Sequence, residues 1–474
     1  MSKTLGAAMK EALDRAREVA GGSAELARRL SAEGPRISSQ AVSQWKRAPA
    51  DRTAAIERAT GVPRAELRPD LWGEVEKPEV EAQEGRARMA DAEGTASRSF
   101  GGSTGAKEHY IIVEATPELC FADQLAEIER RYAAARAALG LKPASAIFRR
   151  VFLSDAMNQA EGVRESGLFG EAEEGPVAVS IVQQPPAGGA KIALLAYHVA
   201  RDAPIVKRRL GHNHTLVEMG GRRHLWSARM CSAADVWPSS AADQTREAFR
   251  DLTGGLAGQG ATLRDHCVRT WIYIRDVDVF YQDMVKSRVE LFRREGLTGD
   301  THFIASTGIE GACAHRYDLV VMDAYSVPDL ASEQVSHLND FDHLCATKDY
   351  GVTFERATRV VYGDRAHIFI SGTASIDGEG WVVHPGDVLK QLDRALENVE
   401  ALLRDGGASL ADMTHLIVYL RDRSDYHAVK RRLAERLPGL PMIIVQAAVC
   451  RPEWLIEVEG IAAVGDETKR FAAF

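Results

Sequence analysis

HIFISGTASIDGEGWVVHPGDVLKQLDRALENVEALL, residues 367–403, reads as one strand followed by one helix. The β-branched and aromatic opening favours a pleated, half-buried strand. Ser371–Ser375 then places small residues at the strand end, where a backbone can approach a ligand closely. A His384-Pro385-Gly386-Asp387 turn leads into a helix predicted over Pro385–Arg404. The alternation continues in both directions. HYIIVEA, PVAVSIV, KIALLAYHVA, CVRTWIYI, YDLVVMDAYSV, MTHLIVYL, PMIIVQAAVC and WLIEVEGIAAV are short apolar runs, and patterns such as Asp425–Arg436 between them have helical spacing. Strands interleaved with helices predict an α/β (α+β) body.

At 474 residues the chain is long enough for two to four domains. Residues 1–74 are rich in Ala, Arg and Leu at helical spacing and predict an all-helical head. Residues 75–107 contain almost nothing large and apolar, so they predict a flexible linker that cannot offset its own ordering entropy. The body shows an internal repeat: CVRTWIYIRDVDVFYQDMVKSRVELF and MTHLIVYLRDRSDYHAVKRRLAERL share a strand, an acidic turn and a Tyr-opened helix. This predicts two copies of one unit, at 108–330 and 349–466.

The net charge of −8 argues against nucleic-acid binding by the whole surface. Residues 1–75 nevertheless carry 13 Lys/Arg against 10 Asp/Glu, the sign expected of a DNA-reading head on an acidic body. The six cysteines have no CxxC spacing, which argues against a structural zinc site. No apolar run approaches the ~20 residues of a membrane span, and the N-terminal pattern lacks the apolar stretch of a signal peptide. The expected compartment is the reducing cytoplasm, with no membrane partner.

Within the head, SAELARRLSAEGPRISSQAVSQWKR (23–47) predicts two helices joined at Gly34-Pro35. Ser23 caps the first, which turns Leu26, Ala27 and Leu30 inward. Ser39 caps the second, with Val42 and Trp45 inward. Gln40, Ser43, Gln44 and Lys46 then face out as candidates for base edges, and Arg36, Lys46, Arg47 and Arg52 as candidates for phosphates. Residues 1–75 resemble helix-turn-helix repressors of the Cro/YdaS type, with "ISSQAVSQWKR" as the specific part.

In the body, WLIEVEGIA sets Glu457 and Glu459 two apart on one strand, hence on one face. Two acids among Ile456, Val458 and Ile461 are costly in a core without partners or function. Burial there raises a carboxyl pKa, as a general acid at neutral pH requires. The three histidines of GHNHTLVEMGGRRH read as a polar surface loop rather than a metal site, and Trp271 and Tyr273 as core.

Residues 350–465 resemble the Rid (YjgF-like) family through "HIFISGTAS…HPGD…Q…N" and "VCRPEWLIEVEGIA", and within it the chorismatase branch most closely. Ser371–Ser375, His384–Asp387, Gln391, Asn398, Cys450, Arg451, Leu455, Glu457 and Glu459 carry that resemblance. Upstream, "RTWIYIRDVDVFYQDMVKSR" resembles a chorismatase segment presenting a Tyr and an Arg, here Tyr281 and Arg288. "IASTGIEG" (304–311) and "YGVTFERAT" (350–358) resemble further landmarks. The resemblance implies two Rid-like halves, a homo-oligomer (trimers in the Rid family), and no metal or organic cofactor. It implies an enzyme acting on the enolpyruvyl group of chorismate or a related carboxylated metabolite. Glu457 would be the proton donor and Cys450 the residue steering the product. Tyr281, Arg288, Arg451, Thr373 and Ala374 would contact substrate. Two rival readings are a ligand-sensing transcription regulator and a Rid-type enamine/imine deaminase. Against the latter, the strand that carries an arginine in imine-deaminating Rid proteins reads Pro441-Met442-Ile443-Ile444 here.

Overall fold

The computed structural model describes residues 3–32, 36–49, 52–68, 94–170, 175–231, 240–340, 343–345, 352–466 and 470–474. The chain divides into two units, Met1–Gln83 and Glu84–Phe474. The first is helical: α1 (Lys3–Ala20), α2 (Ser23–Ala32), α3 (Ser39–Gln44), α4 (Thr53–Thr60) and α5 (Arg64–Leu67). Leu13, Leu26, Leu30, Val42 and Ile56 form its core. Ser38 rather than Ser39 caps α3, accepting from the Ala41 N–H at 3.1 Å, because Ser39 is already helical. Arg17 of α1 donates to the carbonyls of Val42 (2.6 Å) and Trp45 (2.8 Å), supplying partners that the end of so short a helix lacks. Gln40, Ser43, Gln44, Lys46 and Arg47 are exposed, as are Arg36 and Ser39. The expected Gly34-Pro35 turn and residues 75–93 of the expected linker lie outside the described residues.

The remainder of that linker is not linker. Thr95–Gly101 is a strand, β1, paired antiparallel with β2 (Lys107–Glu114). Most of its residues are small or polar, yet Ser97, Ser99 and Phe100 are buried, and Ser99 hydrogen-bonds His109 across the pair at 2.7 Å. Composition conceals such a strand because polar side chains such as Ser99 are satisfied across the pair rather than by apolar packing.

Among the described residues of the second unit, the strands form three sheets with one repeated plan. The first comprises β1, β2, α6 (Phe121–Ala138), β3 (Ala146–Leu153), α7 (Ala156–Glu165), β4 (Ala178–Gln183) and β5 (Ile192–Ala200), with strand order β1-β2-β5-β3-β4. The second comprises β6 (Val206–Leu210), β7 (His214–Met219), β8 (Arg222–Met230), α8 (Ala241–Ala257), α9 (Leu263–His266), β9 (Cys267–Ile274), α10 (Val277–Arg294), β10 (Ala305–Glu310) and β11 (Val320–Ser326), in the order β10-β9-β11-β8-β7-β6. The third comprises β12 (Val335–Leu338), β13 (Ala357–Val361), β14 (Arg365–Ala374), α11 (Val388–Asp405), β15 (Met413–Leu420), α12 (Tyr426–Arg436), β16 (Met442–Gln446) and β17 (Ile456–Gly465), in the order β12-β13-β14-β17-β15-β16. In each sheet the one parallel pair (β3·β4, β9·β10, β15·β16) joins strands linked by a helix, and the last strand inserts antiparallel beside it.

The body therefore holds three copies of one unit where the repeat predicts two; the first two copies span 95–326. The copies close on one another. β4 touches β8, and β10 touches β14, so equivalent edges meet. The first copy also reaches the third: the Ala187 N–H donates to the Ile444 carbonyl at 2.9 Å. Arg365 of the third copy donates to Glu108 of the first at 2.6 Å, where His367 (2.8 Å) and Tyr197 (2.7 Å) join it. Burial alone would raise the Glu108 pKa. His367 and Arg365 outweigh it and hold this carboxyl well below its usual range.

Candidate active site

The β10–β14 seam is the cleft between the second and third copies. Two hydrogen bonds knit it: the Ser306 N–H to Ser371 Oγ (2.9 Å) and the Gly372 N–H to Thr307 Oγ1 (2.8 Å). Between Ile370 and Thr373 the register of β14 shifts against β17, a bulge that kinks the strand end toward the seam. The cavity there, about 120 Å³, is lined from one side by Tyr281, Gln282 and Arg288 of α10 and Ser306–Gly308 of β10. The other side contributes Val352, Phe354, Arg356, Gly372, Ala374, Ile376, Cys450, Arg451, Trp454 and Glu457.

Among the described residues Glu457 is the only carboxylate lining this cavity, and it is 6% exposed. Burial, followed by the negative charge of Glu459, pushes its pKa up to about 8, against the opposing charges of Arg269 and Arg356. At neutral pH it therefore carries a proton. Gly372 permits this placement: a Cβ there would collide with the Glu457 carboxyl. Glu459 faces the same way along β17 but is neutralised by the core. Arg269 reaches it at 2.6 Å, Tyr419 donates to it at 2.8 Å, and the Thr307 hydroxyl donates to it as well. Two neighbouring acids are thus set to different tasks, Glu459 tied to Arg269 in the core and Glu457 held as an acid facing the cavity.

Three guanidinium groups face Glu457 across this cavity. Arg288 is 2% exposed, and its Nε–H donates to Thr353 at 3.1 Å. Arg356 donates to the Cys345 carbonyl at 3.1 Å and lies over Phe354. Arg451 donates to the Gly380 carbonyl at 3.2 Å, and its guanidinium carbon lies 4.6 Å from the Trp454 ring centre. Forked donors at the rim of a partly apolar pocket suit a planar, carboxylated ligand. Burial and the Glu457 charge push the Cys450 thiol up to about 12, so it stays a neutral SH rather than a nucleophilic thiolate.

Of the residues singled out by sequence, the fold brings Tyr281, Arg288, Ala374, Cys450, Arg451 and Glu457 to one cavity. Thr373 is not among its walls: it is fully buried, with its hydroxyl turned to the Ser371 carbonyl at 2.9 Å. Strand alternation sends Gly372 and Ala374 one way and Thr373 the other. Arg356 is a wall residue that sequence reasoning did not single out, and Gly372 lies within the Ser371–Ser375 run that it did. Gln391 and Asn398 are buried props, donating from α11 to the carbonyls of Glu453 (2.9 Å) and Ala374 (3.1 Å). Trp271 and Tyr273 are buried, and Trp271 lines a central cavity of about 30 Å³, room for one water. His214 pairs with Ser227 and Asp251, and His224 with Tyr325. Among the described residues no cluster of His, Cys, Asp or Glu is placed to hold a metal ion, and no helix is long and apolar enough to cross a membrane.

Residues 356–464 match the endoribonuclease L-PSP family. The 3-aminoacrylate deaminase RutC of Acinetobacter baylyi is 34% identical over 99 residues, which is 20% of this chain and 79% of that protein. The chain belongs to the endoribonuclease L-PSP (Rid) family. A chorismatase of Streptomyces rapamycinicus is a longer match within it, 32% identical over 220 residues, 41% of this chain. The chain spans 63% of the length of that relative. A solved chorismatase structure is 20% identical, with a TM-score of 0.49, covering 67% of this chain and 93% of that one. Outside the Rid region, residues 13–76 match the bacterial toxin YdaS family, in agreement with the helix-turn-helix resemblance of the head.

Proposed function

We propose that the protein is a chorismatase-like enzyme that protonates the enolpyruvyl group of chorismate or a close carboxylated relative. The supporting observation is the proton-holding carboxyl of Glu457, buried and faced by Arg288, Arg356 and Arg451. The arginines bind the substrate carboxylates and orient the enol ether toward Glu457. Its proton passes to the methylene carbon, leaving an oxocarbenium-like carbon beside the ether oxygen. Attack by water followed by C–O cleavage gives pyruvate and a dihydrodiol, consuming one water. Attack by a ring hydroxyl instead leads to pyruvate and a hydroxybenzoate, with no net water consumed. The neutral Cys450 thiol, hydrogen-bonded by Tyr281, walls the ring side of the pocket and biases this choice. The chemistry rests on general-acid catalysis, typically worth ~10²–10⁴-fold, and on positioning.

The test is to incubate the full chain with chorismate and follow pyruvate with lactate dehydrogenase and ring products by chromatography. Stoichiometric pyruvate and one ring product are expected. Binding of chorismate without pyruvate release would favour the rival reading, a ligand-sensing regulator. The exposed Gln40, Ser43, Gln44, Lys46 and Arg47 lend that reading some weight, and we infer that this head contacts DNA. Arg47→Ala in the full chain should then weaken DNA binding on all sequences and make its salt dependence shallower.

A further inference from the structure

The seam between the first and second copies repeats the architecture of the candidate active site without its acid. In β11, Val321 pairs with Tyr273, as Glu457 in β17 pairs with Tyr419; each lies one step in from the strand's first pair. Val321 therefore stands where Glu457 stands. β8 also repeats the bulge of β14. Its register shifts between Met230 and Ser227, as that of β14 shifts between Thr373 and Ile370. By that correspondence Arg229 occupies the place of Gly372.

Arg229 has a φ of 58°, in the left-handed region that side chains other than glycine rarely adopt. Its backbone N–H donates to Asp323 at 2.9 Å, which holds the bulge closed. Its guanidinium carbon lies 4.9 Å from the Phe169 ring centre. Nε is buried without an acceptor, and among the described residues no carboxylate forms an ion pair with this side chain. The cavity it lines is about 690 Å³, against about 120 Å³ at the candidate active site. Arg164, Arg209 and His315 share its walls. Among the described residues its one acid is Asp318, engaged by His315 at 3.3 Å. A half-buried guanidinium with a buried, unpartnered Nε and no ion-paired carboxylate among the described residues, beside an aromatic face, is complementary to an organic anion.

We propose that this second cleft binds a small aromatic carboxylate, its charged end on Arg229 and its ring against Phe169, and holds it without turnover. Val321 stands there in place of Glu457, and Asp318, the one acid among the described wall residues, is paired with His315.

The test is calorimetric titration of the full chain with benzoate, and separately with inorganic phosphate. The variants are Arg229→Gly, Arg164→Ala and Glu457→Gln. Glycine tolerates the backbone at 229, so Arg229→Gly should fold with an unchanged or higher melting temperature while benzoate affinity at this site falls at least tenfold. Arg164→Ala should weaken it less. Glu457→Gln should leave the Arg229-dependent binding intact, which separates this site from the proposed active site even if the latter reading fails. Benzoate binding unaffected by Arg229→Gly would overturn the proposal. Phosphate binding as tightly as benzoate in an Arg229-dependent way would overturn the assignment to an aromatic carboxylate.

Discussion

Replacing Glu457 by Gln removes a proton donor while keeping the shape of a protonated carboxyl, so activity and stability should respond in opposite ways. In activity the variant loses the general acid, and turnover of chorismate should fall by roughly 10²–10⁴-fold. In stability the wild-type carboxyl holds its proton up to about pH 8 in the fold, against an ordinary value of 4.5. Across that window the unfolded chain has released the proton and the folded chain has not. Folding stability of the wild type therefore declines by ~1.4 kcal/mol for each pH unit. The contribution is fully present below pH 4.5, lost progressively up to pH 8, and flat above. Glutamine has no such dependence. The difference in unfolding free energy between variant and wild type should grow in the variant's favour by roughly 4 kcal/mol between pH 5 and pH 9, an order-of-magnitude figure. Urea unfolding at a series of pH values measures it, with a chorismate assay run in parallel. A difference that stays constant with pH would refute the raised pKa. Near-full turnover by Glu457→Gln would refute the role.

Three further outcomes follow from the same geometry. Gly372→Ala should lose about 1–3 kcal/mol of stability and most activity, because its methyl displaces the Glu457 carboxyl; melting curves and turnover check both. Arg356→Ala removes a cation that lowers the Glu457 pKa, so the alkaline limb of the pH–rate profile should move to higher pH. The lost charge-assisted contact, about 1.5–3 kcal/mol, should raise KM by roughly 10–100-fold. The Cys450 thiol, pushed up to about 12, should resist iodoacetamide at pH 8 while the exposed Cys120 is modified, as peptide mass spectrometry of the native protein would show.

Much of this site was legible before the structure because strand alternation and motif spacing act locally. Glu457 and Glu459 share a face for the reason their spacing gives. Thr373 lies off the cavity because, for all its proximity in sequence to Ala374, it has the opposite parity on the strand. Arg356 reaches the cleft from the segment before β13, by a path no local periodicity encodes. The first copy, which the repeat did not predict, left a faint trace: Leu153-Ser154-Asp155 ends β3 where Ile274-Arg275-Asp276 ends β9 and Leu420-Arg421-Asp422 ends β15. Among the described residues the first copy has no counterpart of β6 and β12, and its opening strand has the composition of a linker, so its outline fades in sequence while its hydrogen-bonded plan persists. Arginines within apolar strands, as in AIFRRVFL and CVRTWIYI, signalled buried ion pairs that only the assembled centre reveals.

That centre depends on the copies being unequal. Arg150–Leu195, Trp271–Asp323 and Ile417–Glu459 are one cross-strand position met three times. Three identical chains around an axis would have to place the same residue there in triplicate, and three buried carboxylates or three guanidiniums would repel with no neutralising partner. Covalent joining lifts that identity constraint. Arg150 lies 3.3 Å from Asp323 and 3.7 Å from Glu459, while leucine, tryptophan and isoleucine take the remaining places. A third of this chain, cut out and left to self-associate, could not rebuild such a centre. The broken symmetry is what lets one cleft keep Glu457 while the corresponding position in another is Val321.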